Sequence, residues 1–262
     1  MEAVSALSRP FKYALIAVAT GFGAIFALAA LIFAWLWLAW AGHEYKIGWI
    51  EVPVHYRVSF EAKIDDTVYT GSTVVEVTYV KTPNWQNWPG VSDDDYPHIR
   101  GEAASLTLPD GEVICLLAGA GARQVGERAN SIDWIAANLL AHYPLNYSQG
   151  TFVSVEMAPH LSGSAEIPPK LMPPMIVFSD PLDPTTAHLV DAADPDRALA
   201  PGVHFLGARI AVTLDPVSTG IGTVLPWLGD RNDPGAPTSF TTNKDAFTHE
   251  NHGRPLGRHD FY

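Results

Sequence analysis

From Tyr13 to Ala41 the chain is overwhelmingly apolar, with no Asp, Glu, Lys, Arg or His in the stretch. It has no polar face, so it does not read as a helix buried in a globular core. A bilayer-crossing helix needs about 20 apolar residues, because hydrocarbon cannot satisfy an open backbone polar group. At about 1.5 Å rise per residue the stretch spans about 43 Å, longer than the roughly 30 Å hydrocarbon core, which implies tilt or projection past the interface. Tyr13 at its start and Trp35, Trp37 and Trp40 near its end are placed for the headgroup level, where amphipathic rings collect. Ala39-Trp40-Ala41 has the form that a signal peptidase cleaves, but the apolar region of a signal peptide is about 7–15 residues and this run is far longer. Residues 13–41 are therefore read as an uncleaved transmembrane helix. Arg9 and Lys12 precede it, whereas Lys46 behind it is opposed by Glu44 and Glu51. The rule that positive residues stay inside places the N-terminus, residues 1–12, in the cytoplasm and the rest outside.

After a connection over residues 42–53 the pattern changes to a period of two. Val54, Tyr56, Val58 and Phe60 alternate with His55, Arg57, Ser59 and Glu61, which predicts a strand from Pro53 with one dry face. Asp65-Asp66 supplies a turn and residues 69–82 return as a β-branched strand, giving a hairpin. Residues 83–98 break the pattern and read as a surface loop carrying Trp85 and Trp88. Residues 99–108 and 112–118 predict a second hairpin across Pro109-Asp110-Gly111. A helix from Asn130 or Ser131 to about His142 has an apolar stripe of Ile132, Ile135, Leu139 and Leu140 and ends at Pro144. Further strands are expected over 151–157, 175–178, 187–190, 208–214 and 224–228, and extended coil over the proline-rich 158–174. The fold class is mainly β: a single N-terminal transmembrane helix, then a sandwich-like domain over 54–228 with about one packed helix. From Gly229 to Tyr262 apolar residues thin out, which predicts an extended or disordered tail. Its terminal pair Phe261-Tyr262 can dock in a groove, but truncation after Leu228 is expected to leave the melting temperature within a few degrees.

Charge narrows the partners. The chain carries 16 Lys+Arg and 28 Asp+Glu, a net of −12 at neutral pH. No basic cluster relieves it outside the membrane, which disfavours nucleic acid and anionic headgroups. The single cysteine, Cys115, cannot pair within the chain and lies in the apolar run Val113–Leu117, so it reads as a buried core thiol.

Candidate chemistry is sparse. Gly119-Ala120-Gly121 follows a strand, but Gln124 stands where a dinucleotide loop needs its third glycine. No G-x-S-x-G elbow occurs. Ser148, Ser154 and Ser164 are left as nucleophile candidates for a hydrolase with a dispersed triad, the lowest-ranked reading. His249-Glu250-Asn251-His252 has one residue too few for the H-E-x-x-H zinc motif. Asp180, Asp183, Asp191, Asp194 and Asp196 are dense enough to consider a hard cation, although Asp-Pro pairs are ordinary turn starters. Trp85, Trp88 and Trp227 are the candidates for a protein contact. No catalytic residue and no cofactor is assigned.

Several segments carry a resemblance: Tyr56-Arg57-Val58 with Tyr69–Val77, Arg100-Gly101-Glu102-Ala103, and Pro174–Asp180. Asp183-Pro184-Thr185-Thr186, Asp215–Ile221 and Leu225-Pro226-Trp227-Leu228 continue it in the same order. Together, over about residues 55–228, they resemble a family of uncharacterised bacterial single-pass membrane-anchored proteins with no assigned activity. The resemblance implies a bacterial inner-membrane protein with a periplasmic domain, for which the Asn146-Tyr147-Ser148 sequon is irrelevant, and it transfers no catalytic residue. The function expected is a non-enzymatic interaction or complex-associated role, with lipid contacting residues 13–41 and a protein partner or a homo-oligomer. The alternative is a periplasmic ligand- or cation-binding module.

Overall fold

The computed structural model describes residues 9–83, 97–117, 131–141, 153–191, 194–229 and 261. The chain divides into two compact units, residues 1–49 with 82–94, and residues 50–81 with 95–262. In the first, α1 (Arg9–Glu44) is one continuous helix. Its apolar span, Phe11–Gly42, has a mean hydropathy of 2.4 in its best window, and none of that window is buried. Tyr13, Trp35, Trp37 and Trp40 are all exposed. A helix that is apolar on every side and exposed over that window is suited to lipid.

The second unit is mainly β, with two antiparallel sheets. Its strands are β1 (Ile50–Ile64), β2 (Thr67–Lys81), β3 (His98–Arg100), β4 (Ala104–Thr107), β5 (Val113–Leu116), β6 (Ser164–Ile167), β7 (Met175–Phe178), β8 (Ala187–Val190) and β9 (Val203–Thr213). One sheet has the order β3-β2-β1-β9-β6, the other β4-β5-β7-β8. The period-two pattern places Tyr56, Val58 and Phe60 of β1 and Val75, Val77 and Tyr79 of β2 on the inner face of the first sheet. They share one core with Ala104, Leu106, Ile114, Leu116, Met175 and Val177 of the second sheet and with Ile132, Ile135 and Ala136 of α2 (Ile132–Leu139).

The other face of the second sheet is also covered. Val113, Cys115, Ile176, Phe178 and Ala187 pack against Ile221 of α3 (Ile221–Val224), Leu225, Leu228 and Phe261. Burial on both faces is why Val113–Leu116 and Met175–Phe178 are continuously apolar, whereas β1 alternates. Cys115 is fully buried in this second core, and burial pushes its thiol well above the ordinary range. A bulky thiol reagent is expected to leave the native protein unlabelled and to react once denaturant unfolds it; rapid native labelling would overturn this placement.

The structure corrects several element assignments. The strand expected over 99–108 is two strands in different sheets, β3 pairing with β2 and β4 with β5, separated at Gly101–Ala103. Gly101 has φ 153° and lies close against Val75, so the chain leaves one sheet for the other there. The described part of 151–157 is a turn, with Ser154 O accepting from Met157 N and Ala158 N at 3.0 Å each. The proline-rich 158–174 contains β6 between two 3-10 turns, Ala158–His160 and Pro169–Leu171. Residues 224–228 form the end of α3 and a 3-10 turn, Pro226–Leu228, because Pro226 has no amide for a ladder. Gly119–Gly121 and the tail over 230–260 lie outside the described residues.

Candidate functional site

A cleft of about 600 Å³ opens where β1, β9 and the end of β6 meet. Its cause is a β-bulge: Glu61 pairs with Gly207 but Ala62 pairs with Phe205, so Leu206 is an extra residue on β9. Gly207 takes φ 136° at the bulge, where a side chain would be strained, and nothing occupies the space a Cβ would fill. On one wall Arg209 lies 3.3 Å from Glu166 and 3.4 Å from Ser164 Oγ. Glu61, Phe205 and Met172 contribute carboxylate and apolar surface. The walls therefore offer mixed charge beside apolar surface, which fits a ligand with an apolar body and a polar or charged group.

Asp196, one of the aspartates considered for a cation, instead fixes the start of β9 beside this cleft. It accepts from His204 Nδ1 and from the Phe205 amide, both at 2.8 Å, and these bonds hold its carboxyl below the ordinary carboxylate range. Asp183 accepts from the Thr185 amide at 2.9 Å and its hydroxyl at 2.7 Å, and Asp180 from the Leu182 amide at 2.9 Å. The Asp194 amide donates to the Asp191 carbonyl at 3.1 Å. Among the described residues no three His, Cys, Asp or Glu side chains come together to hold a metal. Ser154 Oγ accepts from the Met157 amide, Ser164 meets Arg209, and Ser148 lies outside the described residues. Trp227 is half-buried: its Nε1 donates to Pro181 O at 2.9 Å and its ring meets Phe178 at 5.5 Å. Trp85 and Trp88 lie outside the described residues.

Two polar clusters were not anticipated from sequence. On the outer face of the first sheet, His55 Nδ1 faces Asp215 O at 2.7 Å and Nε2 faces Glu76 Oε2 at 3.1 Å, while Arg57 pairs with the Asp215 carboxylate. Ser218 then exchanges two bonds with the Val74 backbone at 2.9 and 3.0 Å, so residues 215–218 strap over β1 to β2. The wet-face positions of His55 and Arg57 were the available signal. The second cluster is internal: the hydroxyls of Tyr56 and Tyr79 bond at 2.8 Å, both rings are buried, and the buried Asp133 of α2 acts on them electrostatically. Desolvation, first of all, pushes both phenols far above their ordinary range. A tyrosine at an inward position of an alternating strand needs a hydroxyl partner, and that rule points to the pair. Tyr79→Phe is expected to cost about 1–3 kcal/mol by stranding the Tyr56 hydroxyl, and the double change with Tyr56→Phe to cost less than the sum of the single changes. Strictly additive costs in urea unfolding would show that the pair is not coupled.

No family model, no curated protein and no solved structure matches this chain.

Proposed function

We propose that this chain is a membrane-anchored binding protein, held in a bacterial inner membrane by α1, with its N-terminus cytoplasmic and its β domain periplasmic. It acts by holding another protein or a second copy, not by chemistry. The observation that carries this reading is the apolar span Phe11–Gly42, exposed throughout its most hydrophobic window and continuous in sequence with a β domain that begins at Ile50. Such a helix is stable in lipid and tethers whatever follows it to the bilayer surface. Charge around the apolar span supports the orientation: Arg9 and Lys12 lie in the first turn of α1, whereas at the other end Lys46 is opposed by Glu44 and Glu51.

Cysteine accessibility in intact cells, with Cys115→Ala as background, tests the topology. A cysteine at position 70 is expected to be labelled by an impermeant reagent and one at position 5 to be protected; the reverse pattern overturns it. The mass of the gently solubilised full chain tests the binding role. A mass above one copy is expected, and a strictly monomeric particle counts against it.

A second reading, a periplasmic ligand-binding module, is favoured by the cleft with Glu61, Glu166 and Arg209. It predicts that some member of a panel of amphipathic metabolites and calcium raises the unfolding midpoint, by linkage of binding to folding. An unchanged midpoint across the panel argues against it.

A further inference from the structure

The cleft at the β9 bulge holds an unbalanced charge. Its lining carries two carboxylates, Glu61 and Glu166, and one guanidinium, Arg209. Arg209 is already committed, 3.3 Å from Glu166. The other basic side chains next to Glu61 in the β1–β9 ladder are committed as well. Lys63 lies 3.4 Å from Asp66, and His204 Nδ1 lies 2.8 Å from Asp196. Glu61 itself is exposed, and among the described residues no hydrogen bond or ion pair engages its carboxylate. One negative charge therefore stands at the cleft without a counter-charge beside it.

Apolar surface adjoins that charge. The register shift that makes Leu206 an extra residue also leaves its side chain exposed. Met172 and Pro168 continue the lining. Glu61 pairs with Gly207, and among the described residues no atom lies within 4 Å of the place a Gly207 Cβ would take, so the floor beside the carboxylate is open. The volume of about 600 Å³ falls within the roughly 300–1,000 Å³ that small-molecule sites occupy. A cation with a hydrocarbon body satisfies both features: its N–H groups donate to the carboxylate, and its body covers the leucine. An anion would face two carboxylates and would have to draw Arg209 away from Glu166. The net charge of −12 adds a field that favours the cation.

We propose that the cleft binds a small organic amine in its protonated form, the ammonium donating to Glu61 and the hydrocarbon body lying against Leu206 and Met172. This rests on the ligand-binding reading and names the class of ligand. The test is isothermal titration of the full chain in discs of zwitterionic lipid with phenethylamine, phenylalanine and phenylpropionate, which present one aromatic body with a cation, a zwitterion and an anion. Saturable binding of phenethylamine is expected, weaker binding of phenylalanine, and none of phenylpropionate. Glu61→Gln is expected to weaken phenethylamine binding about three- to tenfold. Glu61→Lys is expected to abolish it and to let phenylpropionate bind. Uptake of the probes by lipid is the same for every variant, so differences between variants report the cleft. Equal unfolding midpoints in urea show that the substitutions, at an exposed position, leave the fold intact. Equal or tighter binding of phenylalanine or phenylpropionate by the parent chain overturns the amine but leaves a ligand-binding cleft standing. Phenethylamine binding that Glu61→Gln leaves unchanged overturns the site. No saturable binding of phenethylamine overturns the proposal, and the ligand-binding reading falls with it only when the wider metabolite panel also leaves the unfolding midpoint unchanged.

Discussion

Phe261→Ala is expected to destabilise the β domain by about 3–5 kcal/mol, the usual cost of emptying a buried phenylalanine site. The ring is fully buried, in contact with Trp227 and Phe178, in the core that also holds Cys115, Ile176 and Leu228. Removing it exposes one side of that core. At about 2–4 °C per kcal/mol for a domain of this size, the unfolding midpoint drops by about 6–20 °C. Truncation after Leu228 removes the same ring and the Ala103–Phe261 bond, so its effect is expected to have the same sign. Composition alone argues for a near-neutral truncation, since residues 229–262 hold too few apolar residues for a core of their own. Phe261 instead completes a core belonging to the domain. Thermal unfolding of the full chain in detergent, followed by tryptophan fluorescence, decides between them. A midpoint shift within about 2 °C for Phe261→Ala would show that the ring contributes nothing to the fold.

The layers of the domain were legible because hydrophobic periodicity records how many faces of a strand are dry. Alternation in Val54–Glu61 marks β1 as wet on one side, and it is, with His55, Arg57 and Glu61 on the outer face. The unbroken Val113–Leu116 and Met175–Phe178 mark strands dry on both sides, and they form the middle layer. Short pieces governed by tertiary contacts were not legible. Nothing local in Ser164–Ile167 announces a strand; it is one because Ala208–Ala211 of β9 lies beside it to pair. The proline-rich flanks merely confine it to an edge of the sheet.

The segments that carry the family resemblance have structural duties. Asp215 and Ser218 hold the strap across β1 and β2, Glu102 ties the start of α3, Asp180 and Asp183 order turns, and Trp227 walls the Phe261 groove. These residues explain why the chain folds as it does; only Asp180 and Asp183 belong to the aspartate-dense run that suggested a cation, and Trp227 suggested a protein contact. The cleft was invisible in sequence for a different reason. It depends on the pairing shift between Glu61 and Ala62, and register is a property of two strands together.

Gly101→Ala is expected to cost about 2–5 kcal/mol, combining overpacking with backbone strain. A Cβ at this position would stand 2.6 Å from Val75 Cγ1 and 2.9 Å from Val75 Cα. The second distance decides the outcome. A side-chain methyl can swing away, but the Val75 backbone belongs to β2, which is paired along its length with β1. The new methyl must therefore displace the segment that carries the chain from β3 in one sheet to β4 in the other. At φ 153° an alanine is also strained irrespective of space. The two causes separate in a second variant. Adding Val75→Ala removes the Cγ1 clash but keeps the close approach to the β2 backbone and the strain, so it is expected to recover only part of the loss. Urea unfolding of the full chain measures both. A Gly101→Ala midpoint indistinguishable from the parent, or full recovery by Val75→Ala, would show that the crossing between the sheets does not depend on a residue without a side chain.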